Sequence, residues 1–518
     1  MNSNLLPKKL VILALVLPIA AFIGFRLADP DYGSLSMIAV LAAALCVPIL
    51  LKWHHPLLIF CWNMPMMVFF LPGTPHLWML ASFGSLAISF LGTILDKDRK
   101  MIRVPVMDLA MISLVVVVLF TMKATGGGFG LRVLGGSTYG AKKYFTILFA
   151  VVGYYALSCQ RFPLQSANKY LAMLILPGAA TAFSNLIYML GPSLWFLYAL
   201  FPVDYAIGQA IDDFSLNATS LKIGRIGGLA VVGLVFFSFI LARYGVRGVL
   251  DITKPWRLGL LVIAGILGLL GGFRSNLVNY AGLFTIQFFL EGLHKTRLMP
   301  VVLGTAVLGF VLLLPVVDKL PLPIQRCFSL LPVEVHPAVK AETLGSNEWR
   351  VNMWKVLLPE IPKYLWVGKG FTASASDYYL TQQAMRFGFL NDFEGSLLAG
   401  DYHNGPLSVI IPFGIWGAMA FLLLVGASFH VLFQNYRYGD SSVRHINTFL
   451  FATLISRSLF FFFIFGAVQL EIQAIIGLVG FSISLNGGVC RQRVNEPVVA
   501  KKASPSPVRI RPGPAMAR

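Results

Sequence analysis

Apolar runs of about 17–25 residues recur along most of the chain, separated by short polar breaks. That length lets a helix cross about 30 Å of hydrocarbon. The runs predict spans near residues 10–27, 35–51, 57–72, 77–95, 106–122, 143–159, 170–190, 226–243, 257–272, 277–293, 299–317, 406–432, 446–466 and 468–488. An isolated strand leaves its backbone unsatisfied in lipid, so the spans must be helical. The expected fold is an all-α, polytopic integral membrane protein with about 12–14 transmembrane helices. The run at 57–72 is the weakest of them, because Asn63 and Pro65 interrupt it.

One long stretch, residues 318–405, breaks the pattern. It is polar but rich in aromatics, with Trp349, Trp354, Trp366, Phe371, Tyr378, Tyr379 and Tyr402, and short helices lying over the membrane are expected there. Ser346-Asn347-Glu348 predicts a helix start, with the helix running to Leu358 and stopping at Pro359. Arg350, Trp354 and Leu357 then share one face. Gly368-Lys369-Gly370 reads as a turn. Four parts are expected: spans over 1–317, a loop subdomain over 318–405, further spans over 406–488, and a basic, disordered tail over 489–518. Lys8-Lys9 and the apolar run to Phe25 read as an uncleaved first span.

Composition agrees with the pattern. Hydrophobic residues make up 57% and charged residues 12% of the 518-residue chain, against about 25% charged in soluble domains. The net charge of +19 does not point to nucleic acid, because no basic helix or aromatic-basic interleaving accompanies it. With alternate segments placed inside, 24 of the 41 Lys and Arg fall on that side, seven of them in the C-terminal tail, in the sense the positive-inside rule requires. That alternation places both termini inside and residues 318–405 outside, which in a bacterium is the periplasm. The five cysteines form no CxxC, and only Cys327 lies in the long loop, so neither a disulfide framework nor a zinc site is expected. Asp212-Asp213 is the nearest acidic pair and reads as solvated. No metal or cofactor is expected.

Few outside residues can do chemistry. Histidine titrates near neutrality, and His76, His336 and His403 are the outside ones. His403 stands directly before a span, where a side chain is held firmly. Arg274 lies in Gly271-Gly272-Phe273-Arg274-Ser275-Asn276, a junction with almost no loop. A guanidinium there can serve as an interface anchor or bind phosphate in bidentate fashion. Arg457 lies mid-span and must face the bundle, with Glu471 as a plausible partner. The segment 123–143 carries Lys123, Arg132, Lys142 and Lys143 beside the membrane. It reads as a headgroup-facing loop or a site for an anionic group.

Three blocks resemble the O-antigen ligase and polymerase superfamily of bacterial envelope glycosyltransferases. Gly272-Phe273-Arg274-Ser275-Asn276 looks like the family's Ser-Arg-Gly block, with Phe and Ser/Asn where small residues are usual. Arg350 with Trp354, then Gly368-Lys369-Gly370-Phe371, looks like Arg-x3-Trp and Gly-x-Gly. His403-Asn404-Gly405-Pro406-Leu407, followed by Phe413-Gly414-Ile415-Trp416-Gly417, looks like His-Asn-x-x-Leu and Gly-x-x-Gly. The likeness spans about residues 225–435.

The resemblance implies metal-independent glycan transfer from an undecaprenyl-pyrophosphate-linked donor in the bacterial inner membrane. The acceptor would be lipid A-core or another glycan. Arg274 and Arg350 would hold the pyrophosphate, and His403 would activate the acceptor hydroxyl. Asn404 and Arg457 are further substrate-binding candidates. Ligase, polymerase and protein O-glycosyltransferase remain open, because their donor chemistry is shared. Outside the enzyme class, a lipid-linked glycan flippase or an envelope scaffold also remains.

Overall fold

A computed structural model describes residues 16–26, 32–45, 47–71, 73–96, 100–126, 141–203, 225–371, 375–391 and 393–492. Arg132, Asp212-Asp213, the Lys8-Lys9 start and the tail beyond 492 lie outside the described residues. The described chain is helical, apart from turns and one isolated bridge between Met67 and His76. Its helices are α1 (Val16–Arg26), α2 (Tyr32–Leu45), α3 (Val47–Cys61), α4 (Leu77–Leu95), α5 (Pro105–Ala124), α6 (Ala141–Ser158), α7 (Leu164–Leu190), α8 (Gly227–Val249), α9 (Trp256–Leu270), α10 (Arg274–Leu290) and α11 (Leu298–Leu313). After these come α12 (Leu322–Phe328), α13 (Pro337–Leu357), α14 (Ile361–Tyr364), α15 (Ala375–Arg386) and α16 (Glu394–Ala399). The chain closes with α17 (Gly405–Tyr438), α18 (Arg444–Phe463) and α19 (Val468–Asn486).

Seven of these, α4, α5, α7, α8, α17, the stretch carrying α18, and α19, are long and apolar enough to cross a membrane. The chain is a multi-pass helical membrane protein. Burial follows the bilayer rather than water. The outward residues Ile112, Val116 and Phe120 of α5, and Val301, Leu308 and Leu312 of α11, are exposed and apolar. Between helices, small polar groups pair instead. Asn435 donates to Ser482 at 2.9 Å, and Asn447 and Asn486 bond reciprocally at 3.0 and 2.9 Å. Such bonds hold helices together where lipid removes the hydrophobic drive.

Two expected elements differ from those observed. The span at 57–72 does not form: α3 ends at Cys61, and the chain to His76 is irregular. Pro65, Pro72 and Pro75 remove backbone donors and disfavour a helix. The backbone is satisfied instead by Met67 N–H on Leu200 O at 2.7 Å and Val68 N–H on Pro75 O at 2.9 Å. Second, α13 starts at Pro337 rather than near Ser346. Pro337 suits a first helical position, and the His336 imidazole caps the start by accepting from Ala338 N–H.

The segment 318–405 docks onto one end of the bundle. Much of the contact is made of backbone. α17 is broken at Gly414 (φ 64°, ψ −161°), two residues after Pro412. The break frees polar groups that a continuous helix would pair internally. Ile411 O accepts from Lys369 N–H at 2.7 Å, Pro412 O from Gly370 N–H at 3.0 Å, and Ile415 N–H donates to Leu365 O at 2.7 Å. Irregular backbone beside a membrane is tolerable only when satisfied in this way. Gly368-Lys369-Gly370 is therefore the docking strip. A Cβ on Gly368 (φ 84°) would lie 2.1 Å from Pro412 O.

Gly368→Ala is expected to loosen this dock by about 1–3 kcal/mol or more. Gly304→Ala, with nothing within 4 Å, is the control. Thermal unfolding of the solubilised protein checks it: a clear drop for the first and none for the second is expected, and equal melting would contradict the docking role.

Candidate functional site

At the docked end, four arginines cluster, and one carboxylate, Glu342, is bonded to two of them. Arg274 is the first residue of α10 and is buried. Its Nη2 donates to Ser346 Oγ on α13 at 3.3 Å. Arg350 stands one helical turn after Ser346 on α13, and both Arg350 and Arg225 lie close enough to act electrostatically on Arg274. Arg326 of α12 donates through Nη1 to Gly272 O and through Nε to both Glu342 oxygens at 3.1 Å. Arg225 donates to Glu342 Oε1. The motif reading missed Arg225, Arg326 and Glu342. Arg225 and Glu342 are 117 residues apart, so no local pattern could have joined them.

The crowding lowers their pKa values. Burial, then the charge of Arg225, pushes Arg326 down to about 10 against the pull of Glu342. Burial and Arg225 likewise lower Arg350. Glu342 is bonded to Arg225 and Arg326, which leaves Arg274 and Arg350 as the cations without a carboxylate bond among the described residues. Confined cations of that kind are a ready place for an anion of high charge density.

His403 is held beside this cluster by contacts on either side of it. Lys143 Nζ donates to Ala399 O at 2.6 Å and Gly400 O at 3.0 Å. Trp354 Nε1 donates to Tyr402 O at 2.9 Å. Asn404 Oδ1 accepts from Leu407 N–H at 3.0 Å and so caps α17. Between these pins His403 itself takes a left-handed backbone, φ 49°, uncommon for a residue with a side chain. Trp349 and Phe465 meet its ring at centroid distances of 5.1 and 5.2 Å. Below it, Tyr402 packs with Leu357, Leu407 and Ile411. Trp354 and Arg350, four residues apart on α13, thus act together: one fixes the His403 backbone and the other is felt by its ring. Burial lowers the His403 pKa; nearby Asp401 opposes that effect and Arg350 reinforces it.

The remaining candidates are engaged in other bonds. Arg457 forms a forked pair with Glu471, Nε to Oε1 at 3.2 Å and Nη2 to Oε2 at 2.8 Å, tying α18 to α19. The pair suggested by sequence is formed, and the fork of Arg457 is spent on it. Lys142 reaches Thr74 O at 3.5 Å, and Lys143 is engaged as above, so these two cations of 123–143 are bonded to backbone. His76 pairs with Met67 through the isolated bridge, and His336 is a helix cap. No family model matches this sequence, and no curated protein matches it.

Glu342→Ala strands the buried Arg326 and is expected to cost on the order of 3 kcal/mol. Glu342→Gln should lose less, since it keeps an acceptor. Chemical or thermal unfolding of both variants measures this; an Ala variant as stable as wild type would contradict the cluster's dependence on that carboxylate.

Proposed function

We propose that this chain is an O-antigen ligase-like glycosyltransferase of the bacterial inner membrane, moving a glycan from undecaprenyl pyrophosphate to an acceptor hydroxyl. The observation that carries it is the convergence of Arg274, Arg350 and His403 from three sequence-distant segments onto one end of the bundle. On this proposal that end faces the periplasm, both termini are cytoplasmic, and shorter apolar helices such as α9 and α11 add to the spans.

The chemistry suits the residues. The donor's isoprenyl chain stays in lipid, so its pyrophosphate must sit at the membrane boundary, where Arg274 opens α10. As the bond from the anomeric carbon to the phosphate oxygen breaks, the leaving pyrophosphate gains negative charge. Fixed cations placed where charge develops lower the barrier most. Arg274 and Arg350 supply them without needing to reorganise. The acceptor hydroxyl must lose its proton as it attacks, and a positioned imidazole contributes about 10²–10⁴-fold. The depressed pKa of His403 keeps it in its basic form at neutral pH. The acceptor is lipid A-core for a ligase and the growing lipid-linked glycan for a polymerase.

His403→Ala is expected to lower transfer by at least about 10²-fold with donor binding retained. Intact polymer accumulating on undecaprenyl pyrophosphate indicates a ligase, and single repeat units a polymerase. Wild-type product in cells would overturn the assignment. Arg274→Ala and Arg350→Ala should each lose about 10²–10³-fold in turnover. Unchanged affinity and turnover in both would refute the pyrophosphate role, and full activity in EDTA is expected.

A further inference from the structure

We infer that Asp401 is the positioning residue of a His–Asp dyad, holding the proton on His403 Nε2 so that Nδ1 is the atom that takes the acceptor's proton. This rests on the transferase proposal only for the identity of the acceptor.

The geometry comes first. Asp401 Oδ2 lies 3.8 Å from His403 Nε2, just beyond hydrogen-bond length. A neutral imidazole carries one N–H and one lone pair. A carboxylate can only accept, so the nitrogen facing it is the one that carries the proton. Nδ1 is then left with the lone pair. Nδ1 is buried and has no hydrogen-bond partner, and Asp401 Oδ1 is in the same condition. Two orphaned buried polar atoms on neighbouring side chains are costly and uncommon. Nδ1 thus holds a lone pair that no protein group uses, and an acceptor hydroxyl meets it only once a covering neighbour shifts on binding. The His403 side chain as a whole is 20% exposed, so part of the ring is open although Nδ1 itself is covered.

The surroundings keep the pair in register. Lys143 and Trp354 pin the carbonyls on either side of Asp401, and His403 beside it takes a left-handed φ. The charged groups acting here are Arg350 from α13 on His403, and Lys143 from α6, which feels Asp401. Trp349 and Phe465 contribute only aromatic surface to the ring. Small closure of the 3.8 Å gap on substrate binding would complete the bond, as catalytic hydrogen bonds often tighten only then.

The acceptor O–H proton passes to Nδ1, the acceptor oxygen bonds to the anomeric carbon, and the anomeric carbon–oxygen bond breaks. The electron pair leaves with the lipid pyrophosphate. The imidazolium formed is stabilised by Asp401, then returns its proton to the leaving pyrophosphate or to water.

Asp401 raises the His403 pKa against burial and Arg350. Removing its charge lets that pKa fall further, so the acid limb of kcat/KM moves to lower pH. Asp401→Asn should do this while lowering the plateau about 10–100-fold, and Asp401→Glu should restore part of both. A lower plateau with an unmoved acid limb would show a merely structural role and overturn the dyad. Nitrogen NMR of the histidine-labelled, solubilised protein reads the same pair without turnover. His403 protonated at Nε2 in wild type, with its titration lowered in Asp401→Asn, is expected. A proton on Nδ1, or an unmoved titration, overturns the dyad. A shifted titration in a protein that transfers no glycan would instead retain the dyad and discard the transferase proposal.

Discussion

One carboxylate cannot neutralise four guanidiniums, and that imbalance organises the site. At an effective dielectric of about 20, two cations about 7 Å apart repel by about 2 kcal/mol. Glu342 offsets this for Arg225 and Arg326, and Arg326 adds a bond to the Gly272 carbonyl. The junction before α10 is thereby braced against α12 and α13. Arg274 and Arg350 are left with unspent positive charge at a membrane boundary, where such charge is costly unless it has a use. An anionic ligand that bridges them would relieve the repulsion and complete the structure.

That arrangement depends on where the long polar segment sits. Arg326, Glu342, Arg350 and His403 belong to it, whereas Arg225 and Arg274 belong to the bundle. The break in α17 at Gly414 solves the docking problem by offering free backbone groups to residues 365–370. Tyr144, Phe371 and Phe413 seal the same seam with edge-on aromatic contacts, and Tyr144 Oη accepts from Phe371 N–H at 2.8 Å. The segment is thus one wall of a site whose other wall is the bundle end.

Much of the architecture was legible from apolar run length alone, because lipid permits few backbone solutions. What was not legible has a physical reason in each case. Residues 62–76 are as apolar as a span, but their prolines outweigh hydropathy. The start of α13 was hidden because its cap is a histidine, not Ser or Asp. Within the site, Arg274, Arg350 and His403 stood out through local pattern. Arg225, Arg326 and Glu342 did not, because their importance lies in contacts between distant segments. Gly368 and Gly370 were visible as a turn, yet their constraint is close approach to α17, which no single segment reveals.

On the proposed function, the uncommitted arginines and His403 face one pyrophosphate-linked glycan. The most direct measurement is a cryo-EM structure of the protein in a lipid nanodisc with an undecaprenyl-pyrophosphate glycan bound. Density for the pyrophosphate within hydrogen-bond reach of Arg274 and Arg350, with the first sugar toward His403, is the expected result. A pyrophosphate bound away from both arginines, for example at the opposite end of the bundle near Arg103 and Arg491, would contradict the account.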